Sequence, residues 1–214
     1  MIVSHQHKFI FVAIPKTATH AVRAGLRPSL GRFVWEQCIL FEKISFPIKS
    51  LAQLQHGHIT CQQLRPYLLP TLWQQYVKFC FVRNPYSRFI SLCTFLSRDS
   101  EQMLRDPIGR MKQLIQSPAF RQRILARPQA EFVCDEDGAL LVDVIGRFET
   151  LQRDLDRIID SLGLDKQPLP QRNVSQYTFP LERLDDELVE LIQTYYQVDF
   201  QRFCYSTQLN LLSD

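Results

Sequence analysis

Apolar residues near the start of the chain form a short continuous run, and a helical pattern follows it. Residues 9–14 (FIFVAI) combine β-branched and aromatic side chains, which predicts a strand covered on both faces. Pro15 ends this strand, and Thr17 or Thr19 is suited to cap the next helix. The pattern therefore predicts a strand, an abrupt loop and a helix over residues 8–30, around which the chain is organised.

A second strand and helix of the same kind follow later. Residues 76–82 (YVKFCFV) predict a central strand, and Arg83 stands at its carboxyl end. Asn84 is a good N-cap and Pro85 a good first helical residue, so a helix is expected to begin there at once. Its core stripe falls at helical spacing and comprises Phe89, Leu92, Cys93 and Leu96. Ser91 lies off that stripe, so its hydroxyl is available to a ligand.

The remaining segments also alternate between helical and extended patterns. Further helices are predicted over residues 62–75, 98–127 (two or three, broken at Pro107 and Pro118), 151–162 and 181–205. Strands are predicted over residues 130–134 and 140–148, joined by an acidic Asp-Gly turn. Because no repeat or linker interrupts this alternation, residues 1–214 are expected to form one α/β domain. Its central parallel sheet should have about four or five strands, flanked by helices.

Composition narrows the function classes only modestly. The formal net charge is +3 at pH 7, whereas nucleic-acid binders cluster basic residues more densely, so we expect no nucleic-acid partner. The six cysteines form no C-x-x-C pair and several lie in apolar segments, which indicates reduced core residues. No signal peptide and no apolar run of about 18 residues is present, so we expect no transmembrane segment. These features favour a cytoplasmic location.

The loop after the first strand has the composition of an anion site. Lys16, threonine hydroxyls and the first N–H groups of a helix would converge there, which suits a phosphate or a sulfate. An ordinary loop whose lysine faces water explains the same residues equally well. A Walker loop is a weaker match, since G-x-x-x-x-G-K-[ST] needs glycines that this loop lacks.

Two histidines flank a glycine at positions 56–58. In a strand, His56 and His58 would point to the same side, so both imidazoles could face one cleft. A pair of surface histidines or a weak metal site are the alternatives. A zinc site needs further ligands, and no cysteine or acidic residue is suitably spaced nearby, so no metal is predicted.

Two motifs together carry a family resemblance. Residues 15–20 (PKTATH) after a strand and residues 81–91 (FVRNPYSRFIS) resemble the cofactor motifs of sulfotransferases that use 3′-phosphoadenosine 5′-phosphosulfate (PAPS). The chain is most similar to the Golgi carbohydrate branch, including the 2-O-sulfotransferases, and its bacterial relatives. The resemblance continues through residues 56–58, 146–164 and 169–205, and it implies the P-loop nucleotide-kinase-like sulfotransferase fold. The Golgi relatives carry a membrane anchor before the catalytic domain, and this chain departs from them there. It is therefore expected to be a cytosolic, bacterial enzyme and not an excised domain.

The resemblance also implies how PAPS is held. The first loop would bind the 5′-phosphosulfate through residues that follow one another in the chain: Pro15, Lys16, Thr17, Ala18, Thr19 and His20. Arg83 and Ser91 would hold the 3′-phosphate. Residues 169–175 are similar to a family segment, L-P-x-x-N-x-S, that returns toward the cofactor. Helpers at phosphate or adenine are therefore expected at Arg172, Asn173 and Ser175.

The same resemblance assigns acid–base work at the acceptor hydroxyl to the histidine pair. His58 is the favoured base and His56 the second choice, and an ordinary pKa of about 6.5 would leave either ring neutral at pH 7. Lys16 would stabilise charge as the bond to phosphate breaks. The acceptor is expected to be a carbohydrate or glycoconjugate. A nucleotide-dependent kinase and an inactive nucleotide-binding module are the alternative functions.

Overall fold

The computed structural model describes residues 1–38, 43–44, 46–54, 56–98, 100–169 and 179–209. The chain divides into two compact units. The first unit comprises Met1–Val82 and Glu131–Arg172, and the second comprises Arg83–Ala130 and Asn173–Asp214.

The described residues contain six strands. They are β1 (Ile2–Ser4), β2 (Phe9–Val12), β3 (Val34–Cys38), β4 (Lys43–Ile44), β5 (Val77–Val82) and β6 (Val144–Arg147). Their order in the sheet is β4-β3-β1-β2-β5-β6.

The helices within the described ranges are numbered in chain order. They are α1 (Thr19–Leu26), α2 (Lys49–Ala52), α3 (Cys61–Leu64), α4 (Pro70–Gln75), α5 (Pro85–Leu96), α6 (Glu101–Arg105), α7 (Pro107–Gln116), α8 (Pro118–Arg121), α9 (Ala130–Val133), α10 (Leu151–Ser161), α11 (Asp186–Tyr195) and α12 (Gln197–Arg202).

The first unit is built on the sheet. Strands β2, β5 and β6 run parallel, whereas β1 pairs antiparallel with both β2 and β3. All four residues of β2 are buried, as expected for a strand covered on both faces. The predicted α/β class and its parallel core are therefore confirmed, and the antiparallel pairs are an extension that the sequence pattern did not indicate. Because β2, β5 and β6 run the same way, their carboxyl ends lie at one edge of the sheet.

Helices α1 and α10 pack their apolar sides on this sheet. Val22 and Leu26 of α1 and Leu155 and Ile158 of α10 join one core cluster with the sheet phenylalanines. Gly146 in β6 lies directly opposite Phe81 of β5, and a Cβ atom at position 146 would come within 2.4 Å of that ring. The missing side chain therefore makes room for the phenylalanine.

The second unit is helical. Its core gathers buried residues from α5, α7, α11 and α12, including Phe89, Leu92, Cys93, Met111, Ile115, Leu188, Ile192 and Phe200. Asn84 caps α5 by accepting hydrogen bonds from the backbone nitrogens of Tyr86 and Ser87, and Pro85 is the first helical residue. The predicted cap, helix start and core stripe of α5 are thus confirmed.

Two element predictions are wrong or incomplete. Residues 130–133 form α9 instead of a strand, and only an isolated bridge joins Cys134 to Leu140. A four-residue apolar run does not distinguish a buried helical turn from a strand. The predicted last helix is divided into a 3-10 turn, α11 and α12. The acidic segment is a turn as expected, with Asp135 Oδ1 accepting the backbone N–H of Ala139 at 2.7 Å.

Cysteine placement agrees with the prediction of reduced core residues. Four free cysteines, Cys61, Cys80, Cys93 and Cys134, are buried, whereas Cys204 is exposed. None of the described helices is both long enough and apolar enough to span a membrane.

Candidate active site

The loop between β2 and α1 has a left-handed backbone at two positions. Lys16 has φ 66° and Ala18 has φ 61°, although neither is a glycine. Ala18, which has no side-chain oxygen, is the N-cap of α1, so the expected threonine cap is wrong. The hydroxyl of Thr17 instead donates to the Ile14 carbonyl within the loop, at 3.0 Å, and Thr19 is already the first residue of the helix.

Left-handed positions of this kind are usually occupied by glycine, as in a Walker loop. A left-handed conformation costs an L-residue about 1–2 kcal/mol. Residues strained in this way are common at ligand-binding sites, where the strained backbone orients its polar groups toward the ligand. Left-handed residues in a tight turn bring successive N–H groups to one concave side, which forms an anion-binding nest. The loop of residues 13–19 therefore has a backbone suited to a phosphate or sulfate, and half-buried Lys16 supplies a positive side chain within it.

His58 is hydrogen-bonded to the start of this loop. Its Nδ1 lies 2.7 Å from the carbonyl oxygen of Ala13. A carbonyl can only accept, so Nδ1 carries the proton, and in the neutral ring the lone pair lies on Nε2. His58 is in an irregular segment, so the condition under which strand alternation would point both rings to one side is not met. The ring is oriented by the Ala13 bond and not by strand alternation.

His56 has the opposite arrangement. Its Nδ1 accepts a hydrogen bond from the backbone N–H of His58 at 3.3 Å, so in the neutral ring the proton lies on Nε2. The centroids of the two imidazole rings are 6.3 Å apart, and the ring planes differ by 28°. Nε2 of His58 is therefore a hydrogen-bond acceptor and Nε2 of His56 a donor. Sequence alone could not establish this difference.

Burial strongly changes the titration of His58. It lowers the pKa of the ring to about 3, and the positive N-terminus, His56 and Arg23 act in the same direction, while the hydrogen bond to Ala13 opposes them. The expectation of an ordinary pKa for His58 is therefore wrong. The ring is neutral at pH 7 with a wide margin, since protonation would place a charge in a poorly solvated position.

A buried glutamine holds the histidine segment in place. Gln37 of β3 is fully buried, and its Nε2 donates to the carbonyls of Leu54 at 2.9 Å and His56 at 3.0 Å. Beside it, buried Arg23 donates to Glu36 at 2.8 Å and to the Gln37 carbonyl at 3.0 Å. This network was not predicted, because two polar residues in a short strand carry no signal of the distant groups that they bind.

In the second unit, Arg83 lies immediately before the cap of α5. Its Nε donates to the hydroxyl of Ser87 at 2.9 Å, which fixes the plane of the guanidinium. Ser91 is half-buried one turn further along the helix. Residues four apart lie on the same helix face, so Ser87 and Ser91 follow one another on the side that Arg83 contacts. Ser87 was missed, although its spacing of four from both predicted residues could have identified it.

Other predicted site residues are placed as follows. Pro15 is buried before Lys16, and His20 is half-buried in the first turn of α1. Arg172, Asn173 and Ser175 lie outside the described residues. No cluster of three or more His, Cys, Asp or Glu side chains suited to a metal ion occurs among the residues that the structure describes.

Comparison with known proteins identifies the family of the chain. The model of the sulfotransferase family matches residues 1–206 of the chain. Among solved structures, the chain is similar to the crystal structure of a sulfotransferase from Alicyclobacillus acidocaldarius, at 16% identity and a TM-score of 0.45, over 95% of this chain and 97% of that chain. No curated protein matches the chain. Since the family match covers almost the whole sequence, the chain belongs to the sulfotransferase family.

Proposed function

We propose that this sulfotransferase moves the sulfuryl group of PAPS in line to a hydroxyl of an acceptor, which is a carbohydrate or glycoconjugate. The observation that carries the proposal is the joining of an anion-binding loop to a neutral histidine. The loop of residues 13–19 has left-handed residues at Lys16 and Ala18, and the Ala13 carbonyl at its start holds the His58 ring. The hydrogen bond between Ala13 and His58 thus links the loop proposed to bind the donor to an imidazole that can accept a proton.

The loop residues fit the 5′-phosphosulfate of PAPS. The nest supplies backbone N–H donors, and the Lys16 ammonium supplies a positive charge for the bridging and sulfuryl oxygens. The leaving group that PAPS provides is a phosphate, which is already a stable anion. Positioning and electrostatic stabilisation by the loop can therefore carry the reaction.

His58 acts as the general base through Nε2. As the acceptor oxygen bonds to sulfur, its proton passes to Nε2 of His58, and the S–O bond to the phosphate breaks to release 3′-phosphoadenosine 5′-phosphate. The low pKa of His58 makes it a weak base, so it takes the proton late, when the attacking hydroxyl has become acidic. Protonation strengthens the Nδ1–H bond to Ala13, which offsets part of the burial cost. His56, which carries its proton on Nε2, serves as a hydrogen-bond donor beside it.

Arg83 and Ser91 bind the 3′-phosphate in this proposal. The guanidinium offers a planar fork of donors that suits a phosphate dianion, and Ser87 already holds its Nε in place. Arg83 directly follows β5, whose parallel neighbour β2 leads into the Lys16 loop. Ligands of α/β sheets bind at the carboxyl ends of parallel strands, which supports assigning both motifs to one donor. Arg172, Asn173 and Ser175 are kept as further donor-binding residues.

Four broader assignments accompany this proposal. The acceptor class and the placement in the Golgi carbohydrate branch or its bacterial relatives follow from the resemblance of the motifs. A single sulfotransferase domain over residues 1–214 is supported by one family match spanning residues 1–206. A cytoplasmic location is supported by four buried free cysteines, since reduced core thiols are typical of reducing compartments.

A donor comparison tests the function directly. The protein is incubated with a panel of glycans and glycoconjugates and with either PAPS or ATP, and both the modified acceptor and the released nucleotide are measured by mass spectrometry. We expect transfer from PAPS only. Transfer from ATP would favour a kinase, and nucleotide binding without transfer to any acceptor would favour an inactive binding module.

Lys16→Ala tests the role of the loop lysine in the same assay. We expect kcat to fall by about 10²- to 10³-fold or more, since a single transition-state donor is removed, while circular dichroism and thermal unfolding remain close to those of the wild type. Lys49→Ala, at an exposed lysine of α2, is the matched control and should retain activity. Undiminished turnover by Lys16→Ala would contradict the assignment.

A further inference from the structure

Gln129 holds the main chain of Arg83 at two points. Its Oε1 accepts the backbone N–H of Arg83 at 2.9 Å, and its Nε2 donates to the Arg83 carbonyl at 2.8 Å. The side-chain amide thus binds both polar groups of one residue, as a neighbouring strand would. Arg83 lies between the end of β5 and the cap of α5, where neither a strand ladder nor a helix fixes its backbone.

Gln129 is itself held by a buried carboxylate. Asp199 of α12 accepts the backbone N–H groups of Gln129 at 2.8 Å and Ala130 at 2.9 Å. Neither Asp199 nor Gln129 is exposed to solvent. Burial raises the pKa of Asp199, and the Arg88 guanidinium and the two N–H groups oppose this shift.

The irregular segment before Gln129 is fixed in the same way. Arg88 donates to the carbonyls of Arg127 at 2.9 Å and Leu125 at 3.3 Å, and its Nη1 lies 3.9 Å from the Asp199 carboxylate. The hydroxyl of Tyr196 donates to the Ala126 carbonyl at 2.9 Å. Three buried side chains therefore bind the main chain of residues 125–130, and the segment presents Gln129 to Arg83.

From this geometry we infer that Gln129 is a positioning residue for recognition of the donor's 3′-phosphate, acting through the main chain of Arg83. The inference rests on the proposed function, which assigns Arg83 to that phosphate. A guanidinium binds a phosphate through two donors more tightly when its backbone and its plane are already fixed, because less conformational entropy is lost on binding. Gln129 fixes the backbone, and Ser87 fixes the plane through Nε.

Two nucleotides that differ only in the 3′-phosphate test the inference. Calorimetry is used to measure the binding of 3′-phosphoadenosine 5′-phosphate and of adenosine 5′-phosphate to the wild type and to Gln129→Met. The methionine keeps the volume of the side chain and removes both hydrogen bonds. We expect the preference for the 3′-phosphorylated nucleotide to fall by roughly tenfold or more, the value of one charged hydrogen bond, while binding of adenosine 5′-phosphate is unchanged.

Two further variants separate positioning from general destabilisation. Gln193→Met is the matched control in the same unit, because Gln193 Nε2 also donates two hydrogen bonds, to the Tyr86 hydroxyl and the Thr207 carbonyl. It should keep the wild-type preference. Gln129→Leu also removes both hydrogen bonds and buries no charge beside Asp199, so it should lower the preference as Gln129→Met does, and it serves if the methionine variant does not fold.

A double-mutant cycle shows whether Gln129 acts through Arg83. In an Arg83→Ala background, Gln129→Met should have no further effect on the preference, because the group it positions is gone. A wild type that prefers the 3′-phosphate and Gln129 variants that keep this preference would overturn the inference alone. A wild type that binds both nucleotides equally would overturn the donor assignment, and the inference with it.

Discussion

His58 allows a sharp prediction because one substitution separates its hydrogen bond from its titration. The Nδ1–H of the ring donates to Ala13, 2.7 Å away, and an asparagine amide at the same position can donate from nearly the same place. His58→Asn therefore keeps the donor and removes the titrating ring. His58→Gln also removes the ring, but its longer side chain carries the amide beyond the Ala13 carbonyl.

The size of the effect follows from the two pKa values of His58. The pKa is lowered to about 3 in the folded protein, while in the unfolded chain it keeps its ordinary value of about 6.5. Between these values the unfolded state binds the additional proton, so the free energy of unfolding falls as the pH is lowered. Each pH unit in this window costs about 1.4 kcal/mol. Lowering the pH from 7 to 5 should thus remove about 2 kcal/mol through His58 alone.

Urea unfolding of the wild type and both variants at pH 7 and pH 5 measures this contribution. The wild type should lose about 2 kcal/mol more than either variant between the two pH values. At pH 7, His58→Gln should be less stable than His58→Asn by about 1–3 kcal/mol, because it leaves the buried Ala13 carbonyl without its donor. If both variants lose as much stability as the wild type, the ring does not titrate as the structure indicates.

The pH dependence of catalysis gives an independent measure of the same ring. The value of kcat/KM reports the ionisation of groups in the free enzyme. With a pKa of about 3 in the folded protein, His58 should produce no acid limb near pH 6.5. His58→Asn should lower kcat by about 10²- to 10⁴-fold, the usual contribution of a general base. A wild-type acid limb near pH 6.5 that His58→Asn abolishes would refute the low pKa.

Two substitutions test the backbone and the packing. Ala18→Gly should raise the free energy of unfolding by up to about 1 kcal/mol because it relieves a left-handed conformation. The same change at Ala24, within α1, should lower the free energy of unfolding by about 0.5–1 kcal/mol. If chemical denaturation shows that both changes shift this free energy in the same direction, the loop is not strained. Gly146→Ala should destabilise the protein by about 1–3 kcal/mol because its Cβ would meet the Phe81 ring. In a double-mutant cycle, Phe81→Leu should reduce that loss of stability. No loss of stability in Gly146→Ala would show that the ring moves freely.

The parts of the fold that sequence predicted well are those determined by neighbouring residues. Asn84 and Pro85 specify a helix start through their own side chains, and the structure confirms it. The apolar run of β2 was recognisable because a strand buried on both faces has no polar positions. Residues 130–133 were misassigned because a run this short fits a helical turn equally well, and only tertiary contacts decide between the two.

The sequence suggested residue types for the candidate site and no geometry. Lys16 was proposed from the composition of its loop and His58 from motif resemblance, and the left-handed backbone was not predicted, since no glycine marks it in the sequence. The tautomer of His58 depends on the Ala13 carbonyl, 45 residues away in the chain. Gln37 and Gln129 position site segments through hydrogen bonds to distant main-chain groups, and such contacts produce no periodicity or spacing that a sequence could reveal.

Calorimetric titration with 3′-phosphoadenosine 5′-phosphate, on the wild type and on Arg83→Ala, tests the central claim most directly. We expect the wild type to bind with a dissociation constant of about micromolar or tighter, and Arg83→Ala to bind roughly 10- to 150-fold more weakly, the value of a hydrogen bond to a charged group. Circular dichroism confirms that both proteins are folded. Absence of binding by the folded wild type would contradict the PAPS assignment, and equal binding by both proteins would contradict the role of Arg83 at the 3′-phosphate.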